Sequence, residues 1–277
     1  MNHKAFIKDL FYRLGLARLL DSILYKVARY RHRKKNTTFR NANPSLAIPP
    51  DYFLYETYRL DYEQFFKDGE ETAKEVMDWT GKYFLQEPSR VLDWGCGVSR
   101  VAPFIEKLTA SGTKVHACDV NSEMIGFGRQ FYKTIHYDVA PHNPPTSYED
   151  NYFHLVYAFS VFTHIEAHLQ AAWLKEIHRI LKDEGVFLFT THGRLFQDRL
   201  LPAERRHYQQ NGAFTKTYRQ AGHRMMTTYN SEETFRKMLH PWFEILEYHD
   251  GAADLTKAGG QDLWIVRKLS TSSDNKN

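Results

Sequence analysis

Val91-Leu92-Asp93-Trp94-Gly95-Cys96-Gly97-Val98-Ser99-Arg100 is the stretch whose reading decides the fold. A short apolar run enters a turn with two glycines, and a helical segment follows. Without a Cβ, glycine lets the backbone turn sharply and lets a ligand approach the main chain. The amides that open the next helix have no partner inside it and face whatever sits over the turn. Glycine turns after strands also occur as plain architecture, so the ligand must be read from the flanking residues.

Two flanks discriminate between nucleotide ligands. A dinucleotide fingerprint needs a small residue at its third glycine so that helix and strand pack closely; here that position is Arg100. An acid, Asp93, stands two residues before the first glycine. A carboxylate there accepts hydrogen bonds from an ammonium and offers nothing to a pyrophosphate. S-adenosylmethionine carries an ammonium and a sulfonium and no pyrophosphate, so it suits this turn better than NAD does. An NAD(P)-linked oxidoreductase and a non-catalytic S-adenosylmethionine-binding module are the alternatives.

The next apolar run, Lys114-Val115-His116-Ala117-Cys118-Asp119, ends on an acid 22 residues after Gly97. A carboxylate at that strand end can accept from both hydroxyls of a ribose. Asp119 can also act as a helix cap, with Asn121 and Ser122 beside it, and the two roles are compatible.

Strands are expected at Arg90–Trp94, Lys114–Asp119, Thr134–Asp138, His154–Phe159 and Gly185–Thr191, with helices between them, the clearest at Ala167–Leu181. Strands alternating with helices imply a parallel sheet covered on both faces. Two later apolar runs, Phe243–Tyr248 and Leu263–Arg267, suit a terminal antiparallel pair. The expected fold is α/β: a Rossmann-like, doubly wound, mostly parallel seven-stranded sheet with an antiparallel terminal strand and a helical N-terminal extension.

With these residues in place, the sequence resembles the class I S-adenosylmethionine-dependent methyltransferases over roughly Gly69 to Arg267. Asp93-Trp94-Gly95-Cys96-Gly97 matches the first motif and Asp119 the ribose-binding acid. Tyr137-Asp138-Val139 looks like the segment that meets the adenine. Asp150 to Tyr157 resembles the turn and fourth strand, and Trp173 to Gly185 the helix leading into the fifth strand. The resemblance implies methyl transfer from S-adenosyl-L-methionine, leaving S-adenosyl-L-homocysteine, to an oxygen or nitrogen nucleophile. It further implies cofactor contacts at Asp93, Gly95, Cys96, Gly97, Arg100, Asp119, Val120, Asn121, Asp138, Val139, Phe159 and Ser160. Ser99 stands where a third glycine is common, and His154 where the fourth strand usually has Asp.

His164, just after the fourth strand, is the candidate general base, with His192 after the fifth strand as the alternative; either can equally be structural. His164 and His168 share a helix face at i,i+4, but no third ligand accompanies them, so no metal is expected. The chain divides into a basic helical extension and linker (1–50), an aromatic-rich helical lead-in (51–88) with a helix at about Gly69–Leu85, the catalytic domain (89–269) and a polar tail (270–277). Within the domain, 194–241 forms an insertion expected to cover the acceptor; its Arg, His and Tyr residues, among them Arg199, Arg205, Tyr208, Tyr218, Arg219, His223 and Arg224, suit a polar, hydroxyl-rich or anionic acceptor. Asn230 with Glu233 reads as a helix cap there.

Charge separates the two ends of the chain. Residues 1–40 hold eleven Lys and Arg against Asp9 and Asp21, or +9, leaving −5 on the rest of a chain whose net charge is +4. A mildly acidic body argues against nucleic acid as the substrate. The aromatic-rich lead-in, the helix beginning near Trp173 and the Gln261-Asp262 entry to the last strand resemble methyltransferases of small molecules or glycans, which implies a small-molecule, glycan or lipid-linked acceptor. Apolar stripes run along the extension, Ile7, Leu10, Phe11 and Leu14 first, then Leu20, Ile23, Leu24 and Val27. Together with the charge they suit peripheral membrane or partner docking through residues 1–35, or a lid over the cofactor. Two cysteines, Cys96 and Cys118, are too few for a disulfide framework, and cytoplasmic placement, including the inner membrane face, is expected.

Overall fold

The structure, a computed structural model, describes residues 16–217 and 226–270. Three helices lead in: α1 (Ala17–Ala42), α2 (Asp51–Thr57) and α3 (Tyr62–Gly81). The sheet domain then runs β1 (Arg90–Trp94), α4 (Ala102–Leu108), β2 (Lys114–Asp119), α5 (Ser122–Phe131), β3 (His136–Val139), β4 (Phe153–Ala158), α6 (Ala167–Ile180) and β5 (Leu181–Thr191). The insertion holds α7 (Pro202–Asn211), the hairpin β6 (Ala213–Thr217) and β7 (Met226–Asn230), and α8 (Glu232–Leu239). The chain closes with β8 (Phe243–His249) and β9 (Asp262–Lys268).

Seven strands form one sheet in the order β3-β2-β1-β4-β5-β9-β8. β1 to β5 run parallel, and β9 lies antiparallel between β5 and β8, so β8 is one edge strand and β3 the other. The central strands are buried on both faces, as a parallel sheet under two helix layers requires. One face packs Leu92, Trp94, Phe187, Phe189 and Trp264 with Trp173 and Phe235. The other packs Val91, Ala117, Leu155, Val186 and Ile265 with Ala73 and Ile105. The strand order reverses between β1 and β4, which opens a crevice at their carboxyl ends.

β1 and β2 have the bounds expected from sequence, while β5 starts four residues earlier, at Leu181. Larger differences lie in the lead-in. The helix expected at Gly69–Leu85 runs from Tyr62 to Gly81, because Asp61 caps it by accepting from the Gln64 amide at 3.1 Å. Asp61 with Gln64 is itself a readable start signal. The first helix continues through Asn36 to Ala42, where a linker is expected from composition. Asn36 is buried; its side-chain amide donates to the Leu60 carbonyl at 3.2 Å and accepts from the Tyr62 amide at 3.1 Å. These contacts override the weak helix propensity of Asn and Thr. The cap of α8 is Ser231, accepting from Thr234, whereas Asn230 exchanges hydrogen bonds with Gln170. The first apolar stripe, Tyr218, Arg219, His223, Arg224 and all but Ser270 of the tail lie outside the described residues.

The lead-in helices share a cluster of Leu54, Leu60, Tyr62 and Phe65 with Val98 and Met124 of the sheet domain. Gly69 on α3 faces the glycine turn, where a Cβ would stand 2.2 Å from the Arg100 carbonyl oxygen. Alanine is worth about 1 kcal/mol more than glycine inside a helix. Overpacking costs about 1–3 kcal/mol, toward the upper end against a backbone atom that cannot rotate away. Gly69→Ala is therefore expected to destabilise despite its better propensity, lowering Tm by roughly 3–8 °C in thermal unfolding. An unchanged or raised Tm would mean that α3 can slide away from the turn.

Candidate active site

The crevice at the β1/β4 switch is a cleft of about 880 Å³. Its floor is the motif itself. Asp93 is the penultimate residue of β1, and Gly95 and Gly97 follow the strand with φ of +79° and +52°, a left-handed backbone that glycine adopts without strain. The amides of Gly95 and Cys96 both donate to the Cys118 carbonyl, at 2.8 and 3.0 Å, which locks the turn to β2. Ser99, at φ +63°, takes up a left-handed position at the site of the commoner third glycine.

Asp119 lies beside this turn. One carboxylate oxygen accepts from the Gly97 amide at 3.0 Å and the other from the Asn121 amide at 2.8 Å. The cap of α5 is Asn121, which accepts from Glu123 and Met124, so Asp119 is left to bridge two loops at the cleft wall. Burial raises its pKa against the pull of those amides. Asp93 is buried more deeply, and its carboxyl is pushed up to about 7 by burial, against the opposing influence of the Tyr157 hydroxyl and the Arg100 guanidinium. Arg100 reaches back to α3, donating to the Asp68 carbonyl and the Thr72 hydroxyl, and lies over the Tyr58 ring at 5.0 Å. It joins the glycine turn to the lead-in.

Beyond the floor, the loop after β4 forms one wall. Ser160 donates its amide to Thr190 and accepts from the Gln261 side chain, at 2.8 and 2.7 Å. The Nδ1 of His164 lies 2.7 Å from the Met226 carbonyl. A carbonyl only accepts, so Nδ1 carries the proton and Nε2 is the basic nitrogen. Thr228 and Thr215 brace the same loop through the Ile165 carbonyl and the Ala167 amide.

Of the residues expected at the site, Asp93, Gly95, Cys96, Gly97, Arg100, Asp119, Val120, Asn121, Phe159, Ser160 and His164 all line the cleft. Asp138 and Val139 instead line a neighbouring cleft of about 370 Å³ that shares Ala140 and Pro141 with the first. His192 lines neither. It is buried against the Phe196 ring, 4.1 Å between centroids, and burial pushes its pKa down to about 3. Among the described residues of the insertion, none of 194–217 or 226–241 lines the cleft. Its polar residues bind one another, as in Arg205 with Asp198 and Tyr208 with Gln197. Walls absent from the sequence reading include Glu56–Arg59 at the end of α2 and just beyond it, and Thr256, Ala258, Gly259 and Gln261 before β9. Neither carries a local signal; the fold alone brings them over the sheet.

The cleft is acidic. Glu56, Asp68, Glu71, Glu75, Asp93, Asp119 and Glu166 line it, against Arg59 and Arg100. Burial raises the pKa of Asp68 and Glu75, and the neighbouring Glu71 raises both further. A bound cation relieves this repulsion. Among the described residues no group of three or more His, Cys, Asp or Glu is placed to hold a metal ion.

A sheet of this order with a glycine turn and two acids at its switch point defines an α/β nucleoside-binding enzyme fold. Residues 68–241 match the methyltransferase domain family, and the chain belongs to it; its cofactor is S-adenosylmethionine. Solved structures share the fold. An S-adenosylmethionine-dependent methyltransferase from Methanosarcina mazei is 18% identical, with 69% of this chain and 97% of that one covered and a TM-score of 0.52. An S-adenosylmethionine-bound amino pentose methyltransferase from Micromonospora echinaspora, involved in calicheamicin biosynthesis, is 13% identical, with 73% and 92% covered and a TM-score of 0.52. Among curated proteins no sequence matches the chain.

Proposed function

We propose that this methyltransferase acts on a nitrogen or oxygen of a small polar acceptor that is neutral or cationic, an amino sugar being the type that fits best. The observation that carries the reading is the excess of carboxylates over guanidinium groups among the described residues that line the cleft. An anionic acceptor, consistent with the insertion's basic residues in sequence, would meet Glu56, Asp68, Glu71, Glu75 and Glu166 there beside the two acids that serve the cofactor. The amino pentose methyltransferase of the same fold handles an acceptor of the favoured kind.

The residues present fit the cofactor. Each Asp119 oxygen accepts one amide and retains a lone pair for a ribose hydroxyl. Asp93 offers a carboxylate to an ammonium. The Trp173 Nε1–H, buried at the cleft, has no acceptor among the described residues and suits an acceptor atom of a ligand. When bound, S-adenosylmethionine supplies a methyl already activated by its sulfonium. The chain's own work is then to orient the acceptor, exclude water and take up a proton. Ser160, Gln261 and Arg100 fix the walls, and His164 Nε2 takes a proton from the acceptor's ammonium, freeing the amine lone pair to attack, or from a hydroxyl as its oxygen attacks.

Calorimetry should give binding of S-adenosylhomocysteine and none of NADH. Transfer of a labelled methyl group to amino sugars, neutral sugars and sugar acids should mark the first or second set and spare the acids. Methylation of acids with inert amines would overturn the acceptor assignment.

Asp93 also sets a pH dependence. An ammonium pairs with the ionised carboxylate, which forms as pH rises through about 7. Affinity for S-adenosylhomocysteine is thus expected to climb between roughly pH 6 and 8. For the ligand-free protein the sign is opposite. A folded pKa raised above the unfolded value of about 3.9 means that this group's stabilisation, full below about pH 4, is lost by about pH 7. Calorimetric titrations and thermal melts across that range read both slopes, and Asp93→Asn should flatten each of them.

A further inference from the structure

α1 has two apolar faces, and among the described residues only one is packed against the rest of the fold. Tyr25, Ala28 and Phe39 pack into the lead-in cluster, and Asn36 is pinned to Leu60 and Tyr62. At 3.6 residues per turn, Leu19, Ile23, Val27 and Tyr30 fall on the opposite side, with Leu24 at its border. They are 56, 49, 40, 75 and 48% exposed in that order. Lys26 and Arg33 run along one edge of this stripe, Arg31 along the other, and Lys34 lies at its end. The basic residues of the inner side are engaged, Arg29 with Asp51 and Lys35 with Asp61 and Glu63. Among the described residues, no carboxylate pairs with Lys26, Arg31, Arg33 or Lys34.

We infer that the outer face of α1 binds an anionic lipid surface, with its apolar stripe entering the headgroup boundary and its flanking cations meeting lipid phosphates. The charge pattern decides between occupants. In a second copy of the helix the flanking cations would face each other, and like charges across a helix pair repel. A nucleic acid would engage the cations and have no use for the apolar stripe. An anionic bilayer satisfies both features. Among the described residues no helix is long and apolar enough to cross a membrane, so the contact is peripheral. α1 contributes no lining residue to the cleft, which leaves the active site open while the helix is bound.

The test is co-sedimentation of the full chain with vesicles of phosphatidylcholine alone or mixed with phosphatidylglycerol. The chain should sediment with the anionic vesicles at low salt, about tenfold less with neutral ones, and should be released as salt rises. The exposed pairs Ile23→Gln with Val27→Gln, and Lys26→Glu with Arg33→Glu, should each weaken sedimentation about tenfold or more. S-adenosylhomocysteine affinity, which reports the fold, should stay unchanged in both. Absence of sedimentation at low salt overturns the inference, as does sedimentation that neither pair weakens, since residues 1–15 would then carry it. A concentration-dependent dimer, lost in Ile23→Gln with Val27→Gln and unaccompanied by lipid binding, would assign the face to a second copy and also overturn it.

Discussion

His164→Ala is expected to lower kcat about a hundredfold or more while leaving S-adenosylhomocysteine affinity nearly unchanged. The donor methyl needs no activation, so the proton on the acceptor is what remains for a side chain to handle. The Met226 carbonyl holds the imidazole with its proton on Nδ1, which presents Nε2 as the base. That carbonyl belongs to β7, so the insertion holds this imidazole in place. The variant should also lose the acid limb of the kcat–pH profile, a change that a merely structural histidine would not produce. His192→Ala provides the contrast. Buried and with its pKa pushed down to about 3, His192 stays neutral near pH 7, so its loss should lower stability and leave the profile in place. An acid limb that survives in His164→Ala and vanishes in His192→Ala would reverse the assignment. Full rate in both variants would leave catalysis to positioning alone.

Legibility in the sequence followed the range of the interactions. β1 and β2 were readable to the residue because short apolar runs between polar breaks have few other places to go. The glycine turn and its two acids were readable because the chemistry is local: a left-handed backbone, a strand end, a carboxylate. The start of α3 was also locally encoded in Asp61 and Gln64, a signal that the denser aromatic pattern around it obscured. Asn36 to Ala42 was not locally encoded. A polar segment became helix because Leu60 and Tyr62, more than twenty residues away, complete its hydrogen bonds. The same holds for the site. Its floor lies within one stretch of chain, while its walls include Glu56–Arg59 and residues between Thr256 and Gln261, about 200 residues apart, and only the folded sheet brings them together. The acidity of the cleft arises from that assembly. Sequence suggests the basic residues of 194–241 as a cover for the acceptor; of the described ones, Arg205 pairs with Asp198 and Lys216 with Glu204 inside the insertion.

Asp119→Ala is expected to weaken S-adenosylhomocysteine binding by roughly ten- to a hundredfold, because a ribose diol would lose a charged acceptor worth about 1.5–3 kcal/mol. From sequence the fold should be indifferent to this change, but the structure alters that expectation. The two oxygens also accept the Gly97 and Asn121 amides, and the alanine leaves both donors without that partner in a half-buried place. Each such donor costs about 1–3 kcal/mol unless water reaches it. The alanine variant should therefore lose stability as well as affinity, and the two losses must be separated. Asp119→Asn does so: its carbonyl oxygen keeps one amide partner while the negative charge disappears. If the ribose contact depends on charge, the asparagine variant binds nearly as weakly as alanine but melts closer to wild type. If Asp119 only bridges the two loops, asparagine restores affinity in step with stability. Binding as tight as wild type in a folded Asp119→Ala protein would remove the ribose contact altogether.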